Sequence, residues 1–76
     1  MTVTVHMHGN LRRFMPGGTD RLEMTLTSRT TVEALLVSIG AGGDTWLVAV
    51  NGTAVGRDRV LEPGDVVDCF EPQAAG

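Results

Sequence analysis

A His-x-His pair, a lone cysteine and a narrow tail ending in glycine are the parts of this 76-residue chain with chemistry to offer. His6 and His8 alternate with Val5 and Met7 in "MTVTVHMH", so both imidazoles fall on one side of an extended segment. A shared metal ion is the chemistry that spacing suggests. Two ligands are too few, and no further Cys, His or carboxylate cluster is evident, so the expectation is a solvated strand face and no metal. Cys69 is a candidate nucleophile without an assured base. Its register in "VVDCF" turns it toward the core, where a thiol packs as a small hydrophobe. One cysteine makes neither an internal disulfide nor a zinc site. No Ser-His-Asp or paired-carboxylate arrangement is legible, so catalysis by this chain alone is not expected. The last feature is "FEPQAAG", Phe70 to Gly76, in which an aromatic, a charge and a proline give way to slim residues with glycine at the carboxylate.

Charge and size narrow the setting. Six basic residues, all arginine, meet nine carboxylates, for a net charge of −3. That balance argues against nucleic acid as a partner, since phosphate binding wants a basic surface. Asp58, Glu62, Asp65, Asp68 and Glu71 read as a solvated acidic surface that steers the domain toward a basic partner. No apolar run approaches the ~20 residues of a membrane span, and the first residues lack a signal-peptide pattern. A cytoplasmic protein of one complete domain is the expectation, with a core that buries only about 60% of the unfolded surface.

The elements that must position these residues follow from periodicity. "MTVTVHM" and "RLEMTLT" alternate with period two, and read as strands with Val3, Val5, Leu22, Met24 and Leu26 inward. "GNLRRFMPGGTD" between them reads as an irregular connection turning at Pro16-Gly17-Gly18. In "TTVEALLVSIG" Val32, Leu35, Leu36 and Ile39 make the stripe of an amphipathic helix. Thr30 with Glu33 fits a capping box, and Gly40 fits the left-handed residue that ends a helix. "GAGGD" reads as a loop without phosphate-binding context. "TWLVAV" is a strand with Trp46 packed at the core edge, followed by the Asn51-Gly52 hairpin signal. After the turn "EPGD" comes "VVDCF", with Val67 and Cys69 inward and Val66, Asp68 and Phe70 on the other side. Val48 and Val50 join the expected core. One helix and four or five strands bury their apolar faces by laying the helix across one face of a mixed sheet, an α+β architecture that leaves the other face open.

That order, with the tail, resembles the ubiquitin-like β-grasp fold, and within it the MoaD/ThiS family of bacterial sulfur carriers. The segments that carry the likeness are "HGNLRRFMPGG", "TTVEALL", "VNGTAV" and "LEPGDVVDCFEP", at matching separation, and it runs from Val3 to Gly76. The resemblance implies a β-grasp domain over residues 1–70 and a flexible tail over 71–76. It implies a protein co-substrate rather than an enzyme, at most the small subunit of a synthase such as molybdopterin synthase, with no bound cofactor. An activating enzyme, a ubiquitin-activating-like adenylyltransferase, adenylates the C-terminal glycine with ATP. Sulfur then displaces AMP to give a thiocarboxylate, which donates sulfur in molybdopterin or thiamin biosynthesis. The reactive glycine corresponds to Gly76. The penultimate glycine of the family corresponds to Ala75, where this sequence departs from Gly-Gly.

The residues support such a tail independently. An acyl group that reaches a buried ATP phosphate passes through a narrow channel, where the slim run Ala74, Ala75 and Gly76 is permissible and large side chains are not. From Phe70 the tail spans ~20 Å at about 3.3–3.6 Å per residue, and Pro72 restricts its freedom before threading. The absence of lysine is either chance or avoidance of amines that would attack an activated acyl group. In the family, positions corresponding to Phe70, His8 and Ala54 form the apolar patch that docks on the activating enzyme or on a larger synthase subunit or sulfur acceptor, with Glu71 beside it. The alternative is a non-conjugating β-grasp interaction module with a degenerate tail. A β-grasp ferredoxin is excluded, because its cluster needs four cysteines.

Overall fold

Alternation becomes strand where it was expected. In the computed structural model, which describes residues 1–72, Thr2–Met7 is β1 and Arg21–Thr25 is β2. Val32–Ile39 is the helix α1, Leu47–Val50 is β3, Thr53–Val55 is β4 and Val66–Phe70 is β5. The strands form one mixed sheet in the order β2-β1-β5-β3-β4. β1 and β5 run parallel, and every other neighbouring pair is antiparallel. This is the α+β, ubiquitin-like β-grasp architecture. The expected tail starts after β5; Glu71 and Pro72 carry no regular structure, and 73–76 lie outside the described residues.

One face of the sheet is closed. Val3, Val5 and Met7 of β1, Val48 and Val50 of β3 and Val67 and Cys69 of β5 share one buried cluster with Val32, Leu35 and Leu36 of α1. Eight residues are too few for a stable isolated helix, so α1 stands because burial of that stripe holds it. Leu22, Met24, Leu26 and Ile39 were expected inside as well. They pack against the cluster but stay partly exposed, because β2 is an edge strand and Ile39 ends the helix. Leu11, Met15, Ala41 and Leu61 complete the core from irregular segments. Leu11 and Met15 sit in or beside two short 3-10 turns, Gly9–Phe14 and Pro16–Gly18, that cap one end of the sheet.

Three local expectations need correction. The helix N-cap is Thr31, not Thr30: the Ala34 amide donates to Thr31 Oγ1 at 3.1 Å. Glu33 instead accepts from Arg57 at 2.7 Å, and Thr30 donates to the Ser28 carbonyl. Asp65 is no solvated carboxylate. It is 5% exposed and accepts from the Glu62 amide at 2.8 Å and from Asn51 Nδ2 at 2.9 Å, so it staples the turn before β5 to the β3–β4 hairpin. Trp46 is not core-edge packing either; it is 68% exposed. The hairpin itself follows its sequence signal, with Asn51 at φ 53° and Gly52 at φ 86°, the paired positive values of a type I′ turn.

Candidate functional site

The open face of the sheet is built by the residues that alternate with the core. β1 offers Thr4 and His6, with His8 just past its end; β5 offers Val66, Asp68 and Phe70; β3 offers Leu47 and Ala49. Register arranges them in rows. Phe70 stands opposite Leu47, and the His8 amide donates to the Cys69 carbonyl at 3.0 Å, which brings His8 beside Phe70. The rings stack at 4.3 Å between centroids with 11° between planes. The neighbouring row runs His6, Asp68, Ala49 and Ala54 across four strands. Leu47 and Val66 are each 38% exposed, so apolar surface flanks the stack on a face that no helix covers. The expected patch residues His8, Ala54 and Phe70 therefore lie on one face, Ala54 on the far edge strand.

The tail leaves from this patch. Glu71 follows Phe70 and accepts from the Asn10 amide at 3.3 Å, which fastens the first tail residue to the loop after β1. Gly9 suits the turn that leads into this loop, since its φ of 61° is one that L side chains rarely adopt. Pro72 is exposed. The remaining tail positions, Gln73, Ala74, Ala75 and Gly76, lie outside the described residues. Trp46 stands at the same end of the sheet, its amide donating to the Phe70 carbonyl at 2.8 Å.

The histidine pair has a third member that the sequence did not reveal. Asp68 Oδ1 lies 3.1 Å from His6 Nδ1 and 2.9 Å from His8 Nε2. The statement that no carboxylate stands near the pair is thus overturned, and Asp68 is half-buried rather than part of a solvated acidic surface. His8 and Asp68 are 60 residues apart, and only the parallel β1–β5 register joins them. Cys69, by contrast, behaves as read. It is fully buried on the closed face, and burial, with the Asp68 carboxylate adding to it and Arg57 opposing, pushes its thiol up to about 12. A thiol held protonated is no nucleophile.

The arrangement is an exposed apolar and aromatic cluster at the end of β5. The ThiS family model matches residues 5–76. The chain belongs to the ThiS family. It therefore falls within the ThiS/MoaD-like ubiquitin-fold sulfur-carrier family. A Pyrococcus furiosus protein provisionally assigned as molybdopterin converting factor subunit 1 superposes with a TM-score of 0.74 at 28% identity, covering 95% of this chain and 98% of its own. SAMP1 from Haloferax volcanii superposes with a TM-score of 0.75 at 18% identity over the full length of both chains, a likeness of fold. No curated protein matches the chain. Among the described residues no helix is long and apolar enough to cross a membrane.

Proposed function

We propose that this ThiS-family chain is a sulfur carrier whose Gly76 is the acyl donor, a cytoplasmic co-substrate rather than an enzyme. The observation that carries the reading is the open face: Phe70 stacked on His8, flanked by Leu47, at the point where the tail departs. An activating enzyme of the ubiquitin-activating type grips that patch. The Gly76 carboxylate attacks the α-phosphate of ATP and releases pyrophosphate. A sulfur donor then displaces AMP from the acyl adenylate and leaves a thiocarboxylate. The acceptor is a larger synthase subunit or another sulfur-accepting enzyme, of the molybdopterin or thiamin type. Pro72, Gln73, Ala74 and Ala75 deliver the carboxylate, with Pro72 limiting the tail's freedom and Ala74 and Ala75 keeping it slim for a narrow channel.

Ala75 favours a second reading. Its Cβ disfavours the positive φ that glycine adopts and adds a methyl in the channel. A chain that cannot be adenylated for that reason is an interaction module using the same face. The deciding experiment incubates the protein with candidate activating enzymes, ATP and a sulfur source, followed by intact-mass measurement. A carrier gains the mass of sulfur in place of one oxygen, and deletion of Gly76 abolishes the gain. Ala75→Gly leaves it equal or higher and Ala75→Val blocks it. Adenylation of Ala75→Gly alone, with wild type inert, selects the interaction module. Full activity without Gly76 overturns the carrier.

A further inference from the structure

We propose that His6, His8 and Asp68 form a zinc site on the open face of the sheet. The three donor atoms lie within 4.8 Å of one another, each from a half-buried side chain. Tetrahedral zinc bonds of about 2.0–2.2 Å space neighbouring donors about 3.4 Å apart. The nitrogens of His6 and His8 stand 3.1 and 2.9 Å from Asp68 Oδ1, and all three donors lie within 4.8 Å of one another, so an ion enters as the side chains re-space toward the tetrahedral distance. Two imidazoles and one carboxylate suit zinc and its neighbours, whereas magnesium and calcium prefer oxygen donors throughout. Three protein ligands leave the fourth position to water or to a donor from a docking partner.

The surroundings are those a ligating histidine needs. The other nitrogen of His6, Nε2, faces Asp20 Oδ2 at 3.5 Å, a carboxylate placed to accept its proton and leave Nδ1 free for metal. The His8 ring is held between Phe70, at 4.3 Å, and His6, at 4.2 Å, which limits its rotation. The two imidazoles border an open hollow of about 340 Å³, whose other lining includes Asn10, Arg12 and Asp20. In the same row, Ala49 and Ala54 place no bulk beside Asp68. Cys69 does not compete, since it is buried on the opposite face. The inference does not depend on the carrier reading.

The test titrates metal-stripped full-length protein with zinc chloride, by calorimetry and by NMR of the imidazole nitrogens. One ion per chain is expected, with the resonances of His6 and His8 shifting together. Asp20→Asn weakens binding by about 10- to 100-fold, the usual effect of losing an outer carboxylate. Asp68→Asn, which removes a ligand, weakens it by more. Should Asp68→Asn lose the fold, His6→Gln and His8→Gln serve the same purpose. Magnesium chloride gives no saturable heat. The site is overturned if zinc binds only at millimolar concentration, if magnesium binds equally, if folded Asp68→Asn or histidine variants bind like wild type, or if the two imidazoles do not respond. In each overturning case Asp68 is simply an acceptor for two histidines.

Discussion

The two faces of the sheet are made by the same strands with the same alternation, yet they have opposite character. On the closed face Val3, Val5, Val67 and Cys69 are all within 1% of complete burial under the helix. On the open face, the residues that alternate with them are threonine, histidine, aspartate, phenylalanine and half-exposed valine. The closed face is interchangeable chemistry: any apolar side chain of similar volume would serve. The open face is specific, since a stacked His8–Phe70 pair and a carboxylate shared by two histidines contribute little to burial. The difference places stability on one side and, under the function proposed above, recognition on the other.

The comparison breaks most visibly at Leu35, which is 1% exposed. Leu35→Ala removes buried methyl groups and leaves a cavity, so it should destabilise by about 2–5 kcal/mol. Urea denaturation measures it. A loss under 1 kcal/mol, on the order of a surface change, would show that the helix does not close this face.

The alkaline limb of stability sharpens the same contrast through Cys69. Its thiol is raised from 9.0 to about 12 by burial. Below about pH 9 both folded and unfolded chains keep the proton, and the burial contributes in full. Above it the unfolded chain releases the proton while the folded chain holds it, so stability should fall by about 1.4 kcal/mol per pH unit toward 12. The window is clean because the chain has neither lysine nor tyrosine, the other side chains that titrate there. Urea midpoints across this range should fall steeply for wild type and stay flat for Cys69→Ala, from a lower start. Parallel curves would place the thiol in contact with solvent.

Legibility followed the same division. Period-two alternation placed Val3, Val5, Val67 and Cys69 inward, because the helix-covered face demands apolar residues at every second position. Leu11, Met15 and Leu61 were missed, since irregular segments have no period from which burial can be read. Trp46 was misplaced by treating a large apolar surface as a core residue, though it stands just ahead of β3 at the sheet's end. His6 and His8 were legible as a pair; Asp68 was not, because parallel register across the sheet leaves no local signal. The tail beyond Pro72 was legible only as composition.

Phe70→Ala tests the open face alone. It should weaken binding to an activating enzyme or synthase subunit by about 2 kcal/mol or more, the effect of removing an aromatic anchor. Stability should change little, since Phe70 is half-exposed and its main partner is the His8 ring. Calorimetric binding and urea denaturation on one variant give both numbers. Unchanged affinity would move the docking patch elsewhere, and a large loss of stability would make Phe70 a core residue.

The smallest expected effect lies at the start of the helix, and it separates two adjacent threonines. Thr31 accepts the Ala34 amide, while Thr30 only donates to the Ser28 carbonyl at 2.9 Å. Thr31→Ala leaves an orphan first-turn amide and should cost about 1 kcal/mol. Thr30→Ala should cost less, because its bond is solvent-exposed and satisfies no helix amide. Denaturation of the two variants side by side decides it, and a reversed order would return the cap to Thr30. The pair also probes how independent the faces are. α1 covers the sheet from the side opposite Phe70 and His8, so a frayed first turn acts on the closed face. Thr31→Ala should therefore bind a partner with wild-type affinity while unfolding at lower urea. A parallel loss of affinity would mean that the helix cap is transmitted through the sheet to the patch, and the assignment of stability to one face and recognition to the other would fail.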